Sequence, residues 1–228
     1  MGGKKQKETK KIWVKAVIAM ACVFFALVMV LSAMGTGWLS FFTVIRPGDT
    51  VTIDYTIRDG NGNPLVTTDQ QVYKSVAGSG SGIFFSKQLV IQANQSSNKA
   101  IIPIQVYSAQ SGWSKTFALF GGEFDAIASN IVGMKDNEQK SIRIPFRDSM
   151  TQTWSVAQLK SNGVNITDVQ IGDQIAMGVS DTPELEKNTT ASSYSIRIGE
   201  VTKKSADGVV ISFGYPTIDV TIVSINNR

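Results

Sequence analysis

The sequence predicts an α+β protein: an N-terminal transmembrane helix, then an antiparallel sheet around one short helix, with a small β-rich domain inserted late in the chain. Three observations predict it. A charge-free apolar run, Ala16 to Met34, precedes everything else. Apolar and polar residues alternate from Val51 to Arg58. A short amphipathic stretch, Glu123–Val132, is followed by Gly-Met and a charged turn.

The apolar run spans nineteen residues without a charge or a proline. As a helix it extends about 28 Å, close to the roughly 30 Å hydrocarbon core of a bilayer. Trp13 and Trp38, with Phe41 and Phe42, stand where interfacial aromatics belong, and Lys15 can snorkel to the headgroups. Residues 16–38 are therefore expected to meet the lipid bilayer, and 16–42 form the anchor with its interface. A cleaved signal peptide competes, since Ser-Ala-Met-Gly offers small residues, but its apolar region would be shorter, about 7–15 residues. Residues 1–15 carry Lys4, Lys5, Lys7, Lys10, Lys11 and Lys15 against Glu8 alone. Such a basic tail stays cytoplasmic, which sends everything after the span outside.

The net charge of +4 at pH 7 resides in that tail, because the other 16 basic and 17 acidic residues sum to −1. A nucleic-acid binder keeps its positive charge on the folded domain, so nucleic acid is not expected as a partner. The chain has no histidine, and its one cysteine, Cys22, lies within the apolar run. Usual zinc and copper sites, Ser-His-Asp and Cys-His catalysis and a disulfide framework are thereby excluded for the outer segment, and neither metal nor cofactor is expected. Gly78–Gly82 leads into Ile-Phe-Phe rather than Lys-Ser/Thr and reads as a flexible linker, not a phosphate loop. Asp181, Glu184 and Glu186 share a polar loop with a proline, and read as solvated. Three Asn-x-Ser/Thr sequons follow the span, at Asn94, Asn165 and Asn188, which suits an exterior address.

In chain order, Val51, Ile53, Tyr55 and Ile57 give the first strand its apolar face, and Asp59–Pro64 is a strong turn. The runs KQLVIQA and AIIPIQVYS, joined by NQSSNK, read as a hairpin, with Pro103 on an edge. The helix Glu123–Val132 leads through GMKDNEQ to the strand KSIRIPF. A second stretch from about Asp148 supplies VQIGDQIAMGV, SYSIRIGEV and DGVVISF, and Pro216–Ile225 closes the chain as a strand expected to return to the first sheet.

Taken in order, GDTVTIDYTIRDGNGNPL, EFDAIASNIVGMKDNEQKSIRIP, the late β-rich stretch and TIDVTIVSI resemble the FKBP-type peptidyl-prolyl isomerases, in their SlyD-like branch with an inserted domain. The resemblance covers most of Val44–Ile225. It implies an FKBP-like domain over 43–149 plus 214–228, with the inserted β-rich domain at 150–213. In the family, the helix floors an apolar pocket and the turn and strand to Ile-Pro form its far wall. The residues it assigns to that pocket are Tyr55, Val66, Phe124, Ile127, Met150 and Ile218. Val66 stands at a position usually aromatic, Met150 where a tyrosine hydroxyl usually reaches the bound chain, and Ile218 where a phenylalanine sits.

The implied reaction is rotation about an Xaa-Pro amide, whose barrier is about 18–20 kcal/mol. It needs no histidine, because no bond breaks. The expected partners are unfolded or newly exported polypeptides bearing Xaa-Pro bonds, met by an outward-facing, membrane-anchored isomerase and chaperone. A decayed binding or holding module on the same fold, and a cell-surface structural protein, are the alternatives.

Overall fold

The alternation in TVTIDYTIR makes a strand with one apolar face. In the computed structural model this strand, β1 (Thr50–Arg58), buries Val51, Ile53, Tyr55 and Ile57. The structure describes residues 3–33, 43–79, 82–109, 112–145, 149–180 and 194–226. The expectations for Met34, Trp38, Phe41, Phe42, part of the Gly78–Gly82 linker, Asp148, Asp181, Glu184, Glu186 and Asn188 lie outside those residues. Two units make up the chain, Met1–Thr43 and Val44–Arg228. Among its described residues the first holds one helix, α1 (Gly3–Ala33), of which Trp13–Ala33 is long and apolar enough to cross a membrane.

The second unit contains a mixed sheet. After β1 come β2 (Pro64–Thr67), α2 (Gln70–Gly78), β3 (Phe84–Ser86), β4 (Leu89–Gln92), β5 (Ile101–Ser108), β6 (Gly112–Phe120), α3 (Gly121–Asn130) and β7 (Gln139–Arg143). Then follow β8 (Thr151–Ser155), α4 (Val156–Ser161), β9 (Gln174–Val179), β10 (Ser195–Ser205), β11 (Gly208–Ser212) and β12 (Thr217–Asn226). The spatial order is β7-β12-β1-β2-β3-β5-β6-β10-β11-β8, with β4 also on β1 and β9 on β10. The closing strand does return to the first one: β12 runs antiparallel to β1 from Thr50↔Asn226 to Arg58↔Thr217.

Several expectations are corrected. The sheet is not purely antiparallel, since β2 with β3 and β6 with β10 run parallel. The first parallel pair follows from α2, a crossover helix that the sequence reading passed over; such pairs need a connection of a dozen or more residues. Asp69 starts that helix by accepting the Gln71 and Val72 N–H groups. The hairpin of β4 with β5 is absent: β4 pairs with Thr50–Ile53 of β1, and β5 pairs with β6 instead. Pro103 sits opposite Ala118 of β6, outside the stretch of β5 that β3 reaches.

The helix expected at Glu123–Val132 runs instead over Gly121–Asn130. It begins early because the Glu123 carboxylate turns back to accept the Phe120 N–H at 3.0 Å. It stops where Gly133 takes a left-handed φ of 87°, a conformation glycine adopts without steric cost. The Gly-Met pair then clamps the start of the unit: Gly133 N–H donates to the Ile45 carbonyl and Ile45 N–H to that of Met134.

Among the described residues the unit has two hydrophobic clusters. The larger joins β1, β2, β12 and α3 through residues such as Ile53, Val66, Ile127 and Val220. The smaller, built on Trp154, Leu159, Val169, Val201, Val209 and Ile211, draws only on residues between 154 and 213.

Candidate functional site

Of the six residues implied for the pocket, four meet in the larger cluster: Tyr55 on β1, Val66 on β2, Ile127 on α3 and Ile218 on β12. The sheet register explains the meeting, since Ile57 of β1 stands opposite both Val66 and Ile218. Phe124, one helical turn before Ile127, packs half-buried against them. Met150 does not join: it is half-buried just before β8, where its carbonyl accepts the Phe213 N–H at 2.8 Å, and it belongs to neither cluster.

These four side chains are closed over. Val66 and Ile218 are 0% exposed, Ile127 1% and Tyr55 3%. The Tyr55 hydroxyl shares a 2.7 Å hydrogen bond with Ser86 Oγ, which in turn donates to the Gln105 carbonyl. Burial pushes the Tyr55 phenol up to about 12, with the Ser86 bond pulling the other way. Open space lies elsewhere in the unit. A groove of about 460 Å³ runs beside Asp59, Asn63 and Gly172, and one of about 390 Å³ beside Val156, Lys160 and Ile166. Another of about 390 Å³ is lined by Val164, Val169, Ile175 and Ala176. None of these grooves is lined by any of the six residues.

That last groove borders β9. This strand pairs with β10 and, among the described residues, with no other strand. Its sequence, QIAMGV, carries no charge and no proline, the usual devices that protect a sheet edge. Ile175 and Met177 rest half-buried on the smaller cluster, while Ala176 and Gly178 are exposed. Ala176 leaves room beside the edge, whereas the Tyr194 ring lies over Gly178. The end strand β7, by contrast, carries Lys140 and Arg143.

Sequence reasoning missed the strongest polar feature. Arg197 of β10 and Glu123 of α3 form a doubly hydrogen-bonded ion pair, with both side chains at 0% exposure. Arg197 also donates to the carbonyls of Ala118 and Phe213, and its guanidinium lies 3.9 Å from the Tyr215 ring centroid and 4.2 Å from that of Phe120. Burial opposes the guanidinium charge, yet the Tyr215 oxygen and the Glu123 carboxylate outweigh it and raise its pKa. Tyr215 donates to the Ile198 carbonyl at 2.9 Å, and burial pushes its phenol up to about 12. In SIRIG the hydropathy alternation points the isoleucines inward, whereas the fold buries Ser195, Arg197 and Gly199 and leaves Ile196 and Ile198 half-buried. The only available signal was an arginine within an apolar strand. No solvent reaches the pair, so its role is to fasten β10 and the Phe213–Tyr215 segment to the helix.

Among the described residues no three of His, Cys, Asp and Glu gather as a metal site. No protein-family model matches the chain. No curated protein is similar to it.

Proposed function

We propose that this chain is a membrane-anchored, outward-facing polypeptide-binding module on an FKBP-like sheet, which holds unfolded segments of newly exported proteins. The observation that carries the proposal is the uncharged β9 edge, which among the described residues no second strand covers, beside a groove lined by both apolar and acidic residues. A sheet edge offers main-chain donors and acceptors to any extended chain, whatever its sequence, and in the neighbouring groove Val164 and Ile175 offer apolar contact beside the carboxylates of Asp168 and Asp173. Affinity without sequence preference is what a holding chaperone needs. The six lysines before the span keep that end inside and place the sheet outside. The element order supports the FKBP-like reading: a first strand beside the last, one helix before Gly-Met, and a late β-rich segment with its own cluster.

A second reading, prolyl isomerisation, is favoured by the gathering of Tyr55, Val66, Ile127 and Ile218 in one cluster with Phe124 packed against it. These four side chains are buried, so a prolyl ring could enter only if that packing opened. One experiment separates the two. The chain in detergent micelles is given an aggregating client and, separately, a protein whose refolding waits on a prolyl bond. Holding predicts suppressed aggregation, reduced by Ala176→Lys at the edge, with refolding unaccelerated. Accelerated refolding that Ala176→Lys leaves intact establishes the isomerase. Neither effect rejects both readings.

A further inference from the structure

The sequons are not absorbed by the polypeptide-binding reading, and the fold treats the two described ones differently. Asn94 has a left-handed φ of 58°, and its N–H donates to the Ala128 carbonyl of α3 at 2.8 Å. Just beyond the sequon, Ser97 N–H donates to Asp125 Oδ1 at 2.6 Å. This acceptor triplet is therefore tied at both ends to a helix about thirty residues away. Asn165 stands in the loop after α4, and its own contacts are local. Its Oδ1 accepts the Thr167 N–H at 3.2 Å and its carbonyl accepts the Asp168 N–H at 3.0 Å. Asn165 and Thr167 are both exposed, and among the described residues Nδ2 of Asn165 makes no hydrogen bond. Beside it lies the groove of about 390 Å³ formed by Val156, Lys160, Val164 and Ile166.

We infer that Asn165 is an acceptor for an N-linked oligosaccharide. The donor class is a saccharide joined through phosphate or pyrophosphate to a membrane lipid, used by an oligosaccharyltransferase at the outer face. Nδ2 attacks the anomeric carbon, the new C–N bond forms and the C–O bond to the lipid phosphate breaks. The lipid phosphate leaves with that electron pair, and one Nδ2 proton passes to a carboxylate of the transferase. An acceptor needs its Nδ2 free and a neighbouring hydroxyl residue within the enzyme's reach, and the loop presents both. The groove then offers apolar surface from Val156 and Ile166 to the faces of the first sugar.

The inference rests on the outward orientation, so the test separates the two. The purified full chain in micelles is incubated with an oligosaccharyltransferase and its lipid-linked saccharide, and the intact mass is read. With Asn188→Gln present in every chain to silence the third triplet, one saccharide per chain is expected, lost in Asn165→Gln and in Thr167→Ala, kept in Thr167→Ser and kept in Asn94→Gln. No added mass, or an increment that Asn94→Gln removes, overturns the assignment irrespective of topology. The same variants are then expressed in a cell that glycosylates outside, with a second acceptor triplet appended at the C-terminus. Modification at both positions supports the inference. The appended triplet alone modified overturns it while sparing the orientation. Neither modified rejects the orientation, and the inference with it.

Discussion

Replacing Glu123 by Gln tests the buried ion pair with the least steric change. The amide oxygen can still accept the Phe120 N–H that starts α3, so the helix cap survives. Its NH₂ group, however, now faces a guanidinium that only donates. Arg197 keeps its two carbonyl partners, Ala118 and Phe213, but its charge is left uncompensated at 0% exposure. Removing one member of a buried pair costs about 3–5 kcal/mol. For a unit the size of Val44–Arg228, each kcal/mol lowers Tm by roughly 2–4 °C, so the expected fall is roughly 6–20 °C. Thermal unfolding of the full chain in micelles, followed by near-UV circular dichroism, reads it. The double variant Glu123→Gln with Arg197→Met keeps the helix cap and removes the uncompensated charge, so it recovers part of the loss, the Ala118 and Phe213 carbonyls being left without their donor. A fall of under about 2 °C for Glu123→Gln refutes the reasoning, as does a double variant no more stable than the single one.

Other consequences follow from the same packing. Tyr55 and Tyr215 titrate near 12 in the fold and near 10 when unfolded, so the folded state holds their protons more tightly. Stability from this source is complete below about pH 10 and is lost between about 10 and 12, roughly 2–3 kcal/mol per tyrosine; the tyrosinate absorbance that disappears in Tyr55→Phe and Tyr215→Phe should arise only with unfolding. A Cβ at Gly121 would collide with the Lys99 carbonyl oxygen, so Gly121→Ala is expected to cost about 3 kcal/mol in denaturant unfolding. Tyr55→Phe removes one buried hydrogen bond while Ser86 keeps its carbonyl partner, so about 1 kcal/mol is expected from the same measurement.

The parts of the fold legible in the sequence were those where a local pattern and the tertiary environment agree. The alternation Val51, Ile53, Tyr55, Ile57 gave β1, the charge-free run gave most of α1, and the helix before Gly-Met was legible with both ends two residues too late. What stayed hidden was decided by distant partners. β4 follows the linker and precedes β5, so adjacency suggested a hairpin; the first half of β1, paired with β12 on one side but beyond the reach of β2 on the other, claimed it instead. Helix α2 does carry an apolar side, with Val72, Tyr73 and Val76 half-buried, but at nine residues running into the Gly/Ser stretch it was passed over as part of a loose segment. Arg197 reads as a surface residue until Glu123, 74 positions away, is seen beneath it. The candidate pocket was legible as a set of apolar positions that converge. That the same positions fill the space they surround depends on packing that no pattern in the chain records.

The central claim is that client chains add to the free edge of β9, and amide hydrogen exchange tests it most directly. The full chain in micelles is compared with and without a saturating unfolded polypeptide. Slowed exchange centred on Gln174–Val179, absent in Ala176→Lys, is the predicted result. Slowed exchange around Phe124 and Ile127 with β9 unchanged contradicts the account and points to the helix side of the sheet as the binding surface.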